Sequence, residues 1–249
     1  GRAPWPTAPA ELRDWNDAAP QVSVGMEGAP GHQAGGLNPD GSPRTSESRG
    51  AYRQHPTYGG FDQMTALVGG FWDSMLGEGR RWWITASSDS HRHYTDGGID
   101  FWPGEYAKTY VLARKTPDDI LDGLRNGRVF VTTGDLVSSV DLEVRPVARG
   151  AAAAGIGGEV TVARGQDVRI TLRVRDPTAH VEQRFTAADW VREGEVITLT
   201  TTLRNVQASG YIRLRGTGTD EAEPAMDVPG ENPWGDLWFY ANPVFIKVR

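Results

Sequence analysis

Asp89, His91 and His93 crowd into five positions of "ITASSDSHRHY" (residues 84–94), in a chain with only five histidines. A carboxylate two residues from an imidazole suits zinc, manganese or iron, and such a metal can bring the pKa of a bound water to about 7. The i, i+2 spacing puts Asp89 and His91 on one face for as long as the backbone stays extended. The competing reading is an aspartate capping a turn beside exposed histidines. "GMEGAPGHQAGG" (25–36) offers a second pair, Glu27 and His32, with Pro30 and the glycines letting the chain turn back toward the same rim. A surface carboxylate and a loop histidine would read the same way. His55, in "YRQHPTYGG", suits a substrate-side or loop-packing role, and His180, in "DPTAHVEQ", an exposed one. Asp96, Asp100 and Glu105 in "YTDGGIDFWPGEY" could orient a substrate or solvate a loop, and Trp102 beside Pro103 could wall a pocket.

These residues need elements to position them. "PAELRDWND" is a short helical candidate. "QVSVGMEG" alternates like a strand and carries Glu27 to its C-terminal end. Residues 28–60 are rich in Gly, Pro and Ser, and a loop of that length is often functional. "FDQMTALVGGFWDSMLGEG" has helical spacing from Met64 to Leu76. "RRWWITASSDS" is an apolar strand ending at Asp89, and "GEYAKTYVLAR" and "VFVTT" are strands on either side of "TPDDILDGLRNGR". That segment starts as a helix should, with Thr116 at the N-cap, Pro117 at the first position and acids in the first turn. Strand–helix alternation over 20–134 predicts parallel α/β architecture, in which ligands gather at C-terminal strand ends. From about 135 to 150 the pattern changes. "SSVDLEVRPVA", "EVTVARGQDVRITLRVRD", "EVITLTTTLRN", "GYIRLRGTG" and "DLWFYANPVFIKVR" alternate with period two, as in a β-sandwich. The expected division is residues 1–140 and 141–249.

Composition narrows the chemistry. The 249 residues, 38% hydrophobic with nine tryptophans, can build a substantial core. With no cysteine there is neither a disulfide nor a thiolate ligand, so any metal takes His, Asp, Glu or backbone oxygens. A net charge of −6 without a basic stripe gives no phosphate track, so no nucleic-acid partner is expected. No apolar run is long enough to cross a bilayer, and no membrane partner is expected. The start lacks a signal-peptide pattern. The expectation is a soluble chain whose compartment stays open, the β-rich half being compatible with export. "GGLNPDG" lacks the Gly-Lys-Ser/Thr of a phosphate loop.

"ASSDSH", a Gly-rich loop, a strand, and "TPDDILDGLRNGRVFVTTG" resemble the C-terminal half of a PHP (polymerase and histidinol phosphatase) domain. "GYIRLRG" with "WFYANPVFIKV" is similar to the β-domain of its carbaryl-esterase-like branch. The resemblance implies a distorted, seven-stranded β/α barrel that binds two or three divalent metals (Zn, Mn or Fe). It would hydrolyse phosphoesters with metal-activated hydroxide. Asp89 and His91 match the family's final Asp-x-His, and Glu27 and His32 are carried over as further metal ligands from the rim. His93 is the candidate catalytic group, and His55 and Arg92 the candidate substrate-binding ones. The family's opening His-x-His is absent, and about four α/β strands are too few to close a barrel. The expectation is therefore a partial PHP barrel followed by a β-sandwich, its N-terminal half supplied by a complementing chain or through a homo-oligomer. The function expected is a metal-dependent hydrolase of small-molecule esters, phosphoesters foremost. Carbamate or carboxyl esters are the alternative in the same fold, and a non-catalytic binding module with a degenerate barrel is the alternative outside it.

Overall fold

Strand–helix alternation predicts parallel strands through residue 134, yet among the described residues of that stretch one strand pair is parallel and the other antiparallel. The computed structural model describes residues 10–29, 38, 42, 56–90, 101–175, 190–219 and 221–249. Helix α1 (Ala10–Ala18) leads into β1 (Gly25–Ala29). The expected helix across 61–79 is two, α2 (Gln63–Ala66) and α3 (Phe71–Gly77). Gly69, at φ +74, and Gly70 interrupt the apolar periodicity with a turn, and Asp62 caps α2 by accepting the Met64 amide. Next comes β2 (Trp83–Ala86), parallel to β1 with Gly25 opposite Trp83 and Glu27 opposite Thr85.

The following unit corrects the parallel expectation. Strands β3 (Ala107–Val111) and β4 (Val129–Thr133) are antiparallel, and helix α4 (Pro117–Arg125) lies within their connection. The hairpin continues one step past the ladder, the Leu112 amide donating to the Arg128 carbonyl at 2.8 Å. Alternation of strand and helix carries no information about direction when the helix caps a wide hairpin. Thr116 does cap α4, accepting the Asp119 amide, with Pro117 at the helix start.

The segments of the second half expected to be strands are strands. Strands β5 (Ser139–Pro146), β6 (Glu159–Val162), β7 (Gln166–Arg175), β8 (Trp190–Glu193), β9 (Val196–Val206), β10 (Gly210–Thr217) and β11 (Trp238–Val248) follow in order. Four of them form one antiparallel sheet, β5-β7-β9-β8. The remaining three join the first half. The five-stranded sheet runs β10-β11-β4-β3, with Phe239 opposite Thr132, and β6 lies parallel to the C-terminal part of β11. This sheet thus takes strands from both sides of residue 140. Buried residues of both larger sheets, with Trp72, Trp82 and Trp83, form one hydrophobic cluster. The architecture is mixed α/β, and no closed barrel forms among the described residues.

Two side chains stitch the parallel pair to the five-stranded sheet. In a parallel strand, alternate residues direct their backbone groups to opposite edges. Trp83 bonds toward β1, its amide meeting the Val24 carbonyl at 2.7 Å. Ile84 and Ala86 face the other way. The Asn242 amide of β11 accepts from the Ile84 N–H at 2.9 Å and donates to its carbonyl at 3.3 Å. The Thr109 hydroxyl of β3 accepts from the Ala86 N–H at 2.8 Å and donates to its carbonyl at 2.6 Å. The second edge of β2 is therefore satisfied by side chains in place of a further strand.

Candidate functional site

Glu27 and the segment leaving β2 share the C-terminal rim of the parallel pair. Glu27 is the third of five residues in β1, short of the strand end that the sequence suggests, and its side chain is exposed. Ser87, the first residue after β2, donates its hydroxyl to Glu27 Oε1. Glu27 Oε2 has no partner among the described residues. Asp89 follows two residues later, half-buried, with φ +44. A left-handed backbone is uncommon for a residue with a Cβ, though aspartate tolerates it better than most. The extended geometry expected to align Asp89 with His91 thus ends before Asp89: β2 stops at Ala86 and the chain turns at Asp89 itself. The Ser90 hydroxyl donates to the Phe101 carbonyl at 2.7 Å.

His91, Arg92 and His93 lie outside the described residues, as do His32, His55, His180, Asp96 and Asp100. Among the residues singled out from sequence, Glu27, Asp89, Trp102 and Glu105 are described, and Glu27 meets Ser87, two residues before Asp89 in the chain. The Glu105 carboxylate accepts the Trp102 amide at 2.7 Å, and the Trp102 side chain is 57% exposed. Phe101 is buried and stacks on Tyr106 at 4.7 Å. Trp234 meets both edge-on, at 5.7 and 5.3 Å, and the Tyr106 hydroxyl donates to the Pro233 carbonyl.

Trp234 belongs to the connection between β10 and β11, which holds residues that sequence reasoning passed over. Asp227, Glu231 and Asp236 each place a carboxylate oxygen within 4.8 Å of the others. Asp227 is 2% exposed, and its carboxylate accepts from the Thr57 hydroxyl and the Gly59 and Gly60 amides. Glu231 accepts the Val228 amide, and Asp236 the Trp238 indole N–H. Three such carboxylates could take a hard cation, but each already serves as a hydrogen-bond acceptor within the protein. The density of acids in "DVPGENPWGD" was the available signal, and their uneven spacing matched no ligand pattern.

As a donor set, Glu27 and Asp89 are carboxylates, the oxygen ligands a divalent cation accepts. One Glu27 oxygen accepts from the Ser87 hydroxyl, the kind of contact that orients a carboxylate. Among the described residues, the group of three carboxylates gathered within reach of a common ion is Asp227, Glu231 and Asp236, and it does not include Glu27 or Asp89. No family model matches the chain, and neither a curated protein nor a solved structure is similar to it.

Proposed function

We propose that the chain is a metal-dependent hydrolase of small esters, phosphoesters foremost, built as part of a PHP-type barrel that runs into a β-sandwich. The observation that supports this reading is the Glu27 carboxylate held by Ser87, two residues before Asp89, at the turn where the chain leaves β2. Glu27 and Asp89 would hold the metal with His91 and His32. A zinc, manganese or iron ion there supplies water acidic enough to ionise near neutral pH and a centre for the charge developing on the ester oxygens. The chain's own groups do the rest. Ser87 keeps Glu27 aimed, His93 handles the proton at the leaving oxygen, and Arg92 and His55 bind the substrate's anionic oxygens.

The parallel pair supports a complementing partner. Two parallel strands alone are marginal, because parallel sheets are stable when covered and extended on both sides. Side chains close the far edge of β2, and no strand lies beside the outer edge of β1 among the described residues. A further strand, from a second chain or another copy, would extend the sheet beside β1 and bring ligands to the same rim.

The test is hydrolysis of p-nitrophenyl phosphate and of p-nitrophenyl acetate with Mn²⁺ or Zn²⁺ supplied. Metal-dependent turnover of the phosphate ester, reduced at least roughly 100-fold in Asp89→Asn with the fold kept, is the expected result. Turnover of the acetate alone would move the reading to carboxyl esters. Full activity in Asp89→Asn, or activity indifferent to chelation, would contradict the metal assignment.

A further inference from the structure

The parallel pair loses register at Gly28. Glu27 faces Thr85 and Ala29 faces Ala86, so Gly28 is an extra residue on β1, a bulge beside the proposed ligand. Bulges bend a strand and re-aim the neighbouring side chain, and they are common next to active sites. There is little space for a side chain at the bulge: a Cβ on Gly28 would lie 3.0 Å from Thr65 Oγ1 and 3.2 Å from Ile84 Cβ. The Gly28 carbonyl is held from outside the strand, accepting the Asp62 amide at 2.9 Å.

Asp62 ends a tight turn. Tyr58 and Phe61 exchange both backbone hydrogen bonds, at 2.8 and 3.0 Å, across Gly59 and Gly60. Gly59 has φ +58, and a Cβ there would lie 2.3 Å from the Trp238 ring. Asp227 grips this turn from the second half of the chain. Its buried carboxylate accepts from Thr57 Oγ1 at 2.5 Å, the Gly59 amide at 2.8 Å and the Gly60 amide at 3.0 Å. Its own amide donates to the Thr57 carbonyl at 2.9 Å. Hydrogen bonds to a buried carboxylate are about twice as strong as neutral ones, so three converging donors define the turn tightly.

We infer that Asp227 is a positioning residue for Glu27, acting through the Thr57–Asp62 turn and the Gly28 bulge. The metal-binding task of Glu27 rests on the function proposed above, whereas the mechanical link rests on the contacts alone. The β10–β11 connection then serves as the outer support of the rim, and the second half of the chain is integral to the site.

Two readouts on the full chain test this: hydrogen exchange of the backbone, and the Kd for Mn²⁺ followed by electron paramagnetic resonance. Asp227→Asn is expected to speed exchange across residues 57–62 and 28–29 and to weaken Mn²⁺ binding about tenfold, the size of effect typical for groups that orient a ligand. Thr57→Val, which removes one donor and leaves the charge, is expected to do the same to a smaller degree. Asp73→Asn, remote from the turn, supplies the control: it lowers stability but leaves the Mn²⁺ Kd unchanged. Unchanged exchange at 57–62 and 28–29 in folded Asp227→Asn and Thr57→Val overturns the inference, and so does a Kd that tracks stability equally in all three variants. A wild-type chain that takes up no Mn²⁺ overturns the metal reading instead, and the exchange data alone then decide the link.

Discussion

Asp73 is a charged residue with a structural task, and it shows how the second half of the chain is pinned to the first. Its carboxylate on α3 receives a two-pronged hydrogen bond from Arg213 of β10, at 2.6 and 2.7 Å, with further bonds from the Tyr211 hydroxyl and the Gly69 amide. Both partners of the ion pair are close to fully covered, Arg213 at 9% and Asp73 at 11% exposure, and the guanidinium lies over the Trp72 ring. Burial pushes the Asp73 carboxyl up, but the Arg213 guanidinium and the other donors outweigh it and hold it below the ordinary value of 3.8. Burial, together with the bond to Asp73, pushes the Tyr211 hydroxyl up to about 12. A carboxyl whose pKa is depressed on folding contributes stability that is complete above its unfolded value and is lost as pH falls through the folded one. Acid unfolding should therefore steepen below about pH 4 in the wild type. Asp73→Asn should remove part of that acid dependence and lower stability at pH 7 by roughly 3 kcal/mol, because Arg213 is left covered and without its charge partner. Urea unfolding at pH 7 and pH 3 measures both effects. Equal losses at the two pH values would contradict this assignment.

Among the elements, α4 was the most legible from sequence, because Thr116, Pro117 and the two following acids are local signals whose physics does not depend on the rest of the chain. Strand β4 was equally plain: all five residues are buried, as expected for a strand covered on both faces. Direction was not legible. The same "AKTYV", helix, "VFVTT" order serves a parallel crossover or a wide hairpin, and the choice is made by β11, more than a hundred residues away, pairing with β4. The split of α2 from α3 was signalled by Gly69 and Gly70 but outvoted by the apolar spacing around them. Asn242 was invisible because it works as a piece of backbone, completing the edge of β2 from within a strand whose neighbouring positions are buried. Asn242→Leu would leave the Ile84 N–H and carbonyl covered and unpaired. Each such orphan costs about 1–3 kcal/mol, so a loss of about 3 kcal/mol is expected in chemical denaturation. A loss below about 1 kcal/mol would mean that the edge finds other partners.

At the scale of the molecule, the sequence division at residue 140 describes composition better than it describes packing. The five-stranded sheet spans that point, the Asp73–Arg213 pair crosses it, and Asp227 reaches back over it to the turn beside β1. The candidate site was legible in part for a related reason. Asp89 and Glu27 stand out in the sequence as candidates because each lies near the end of a recognisable strand. Ser87, Asp227 and the Gly28 bulge do not, because their roles arise from contacts between segments far apart in the chain. The metal centre proposed at the β1–β2 rim makes a specific demand. The measurement that tests it most directly is metal content by plasma mass spectrometry, comparing the purified wild-type chain with the double variant Glu27→Gln, Asp89→Asn after equal exposure to Zn²⁺ and Mn²⁺. At least about one equivalent in the wild type and its loss in a folded double variant is the expected result. A wild type without metal, or a double variant that retains all of it at the Asp227, Glu231 and Asp236 carboxylates, would contradict a metal centre on the β1–β2 rim.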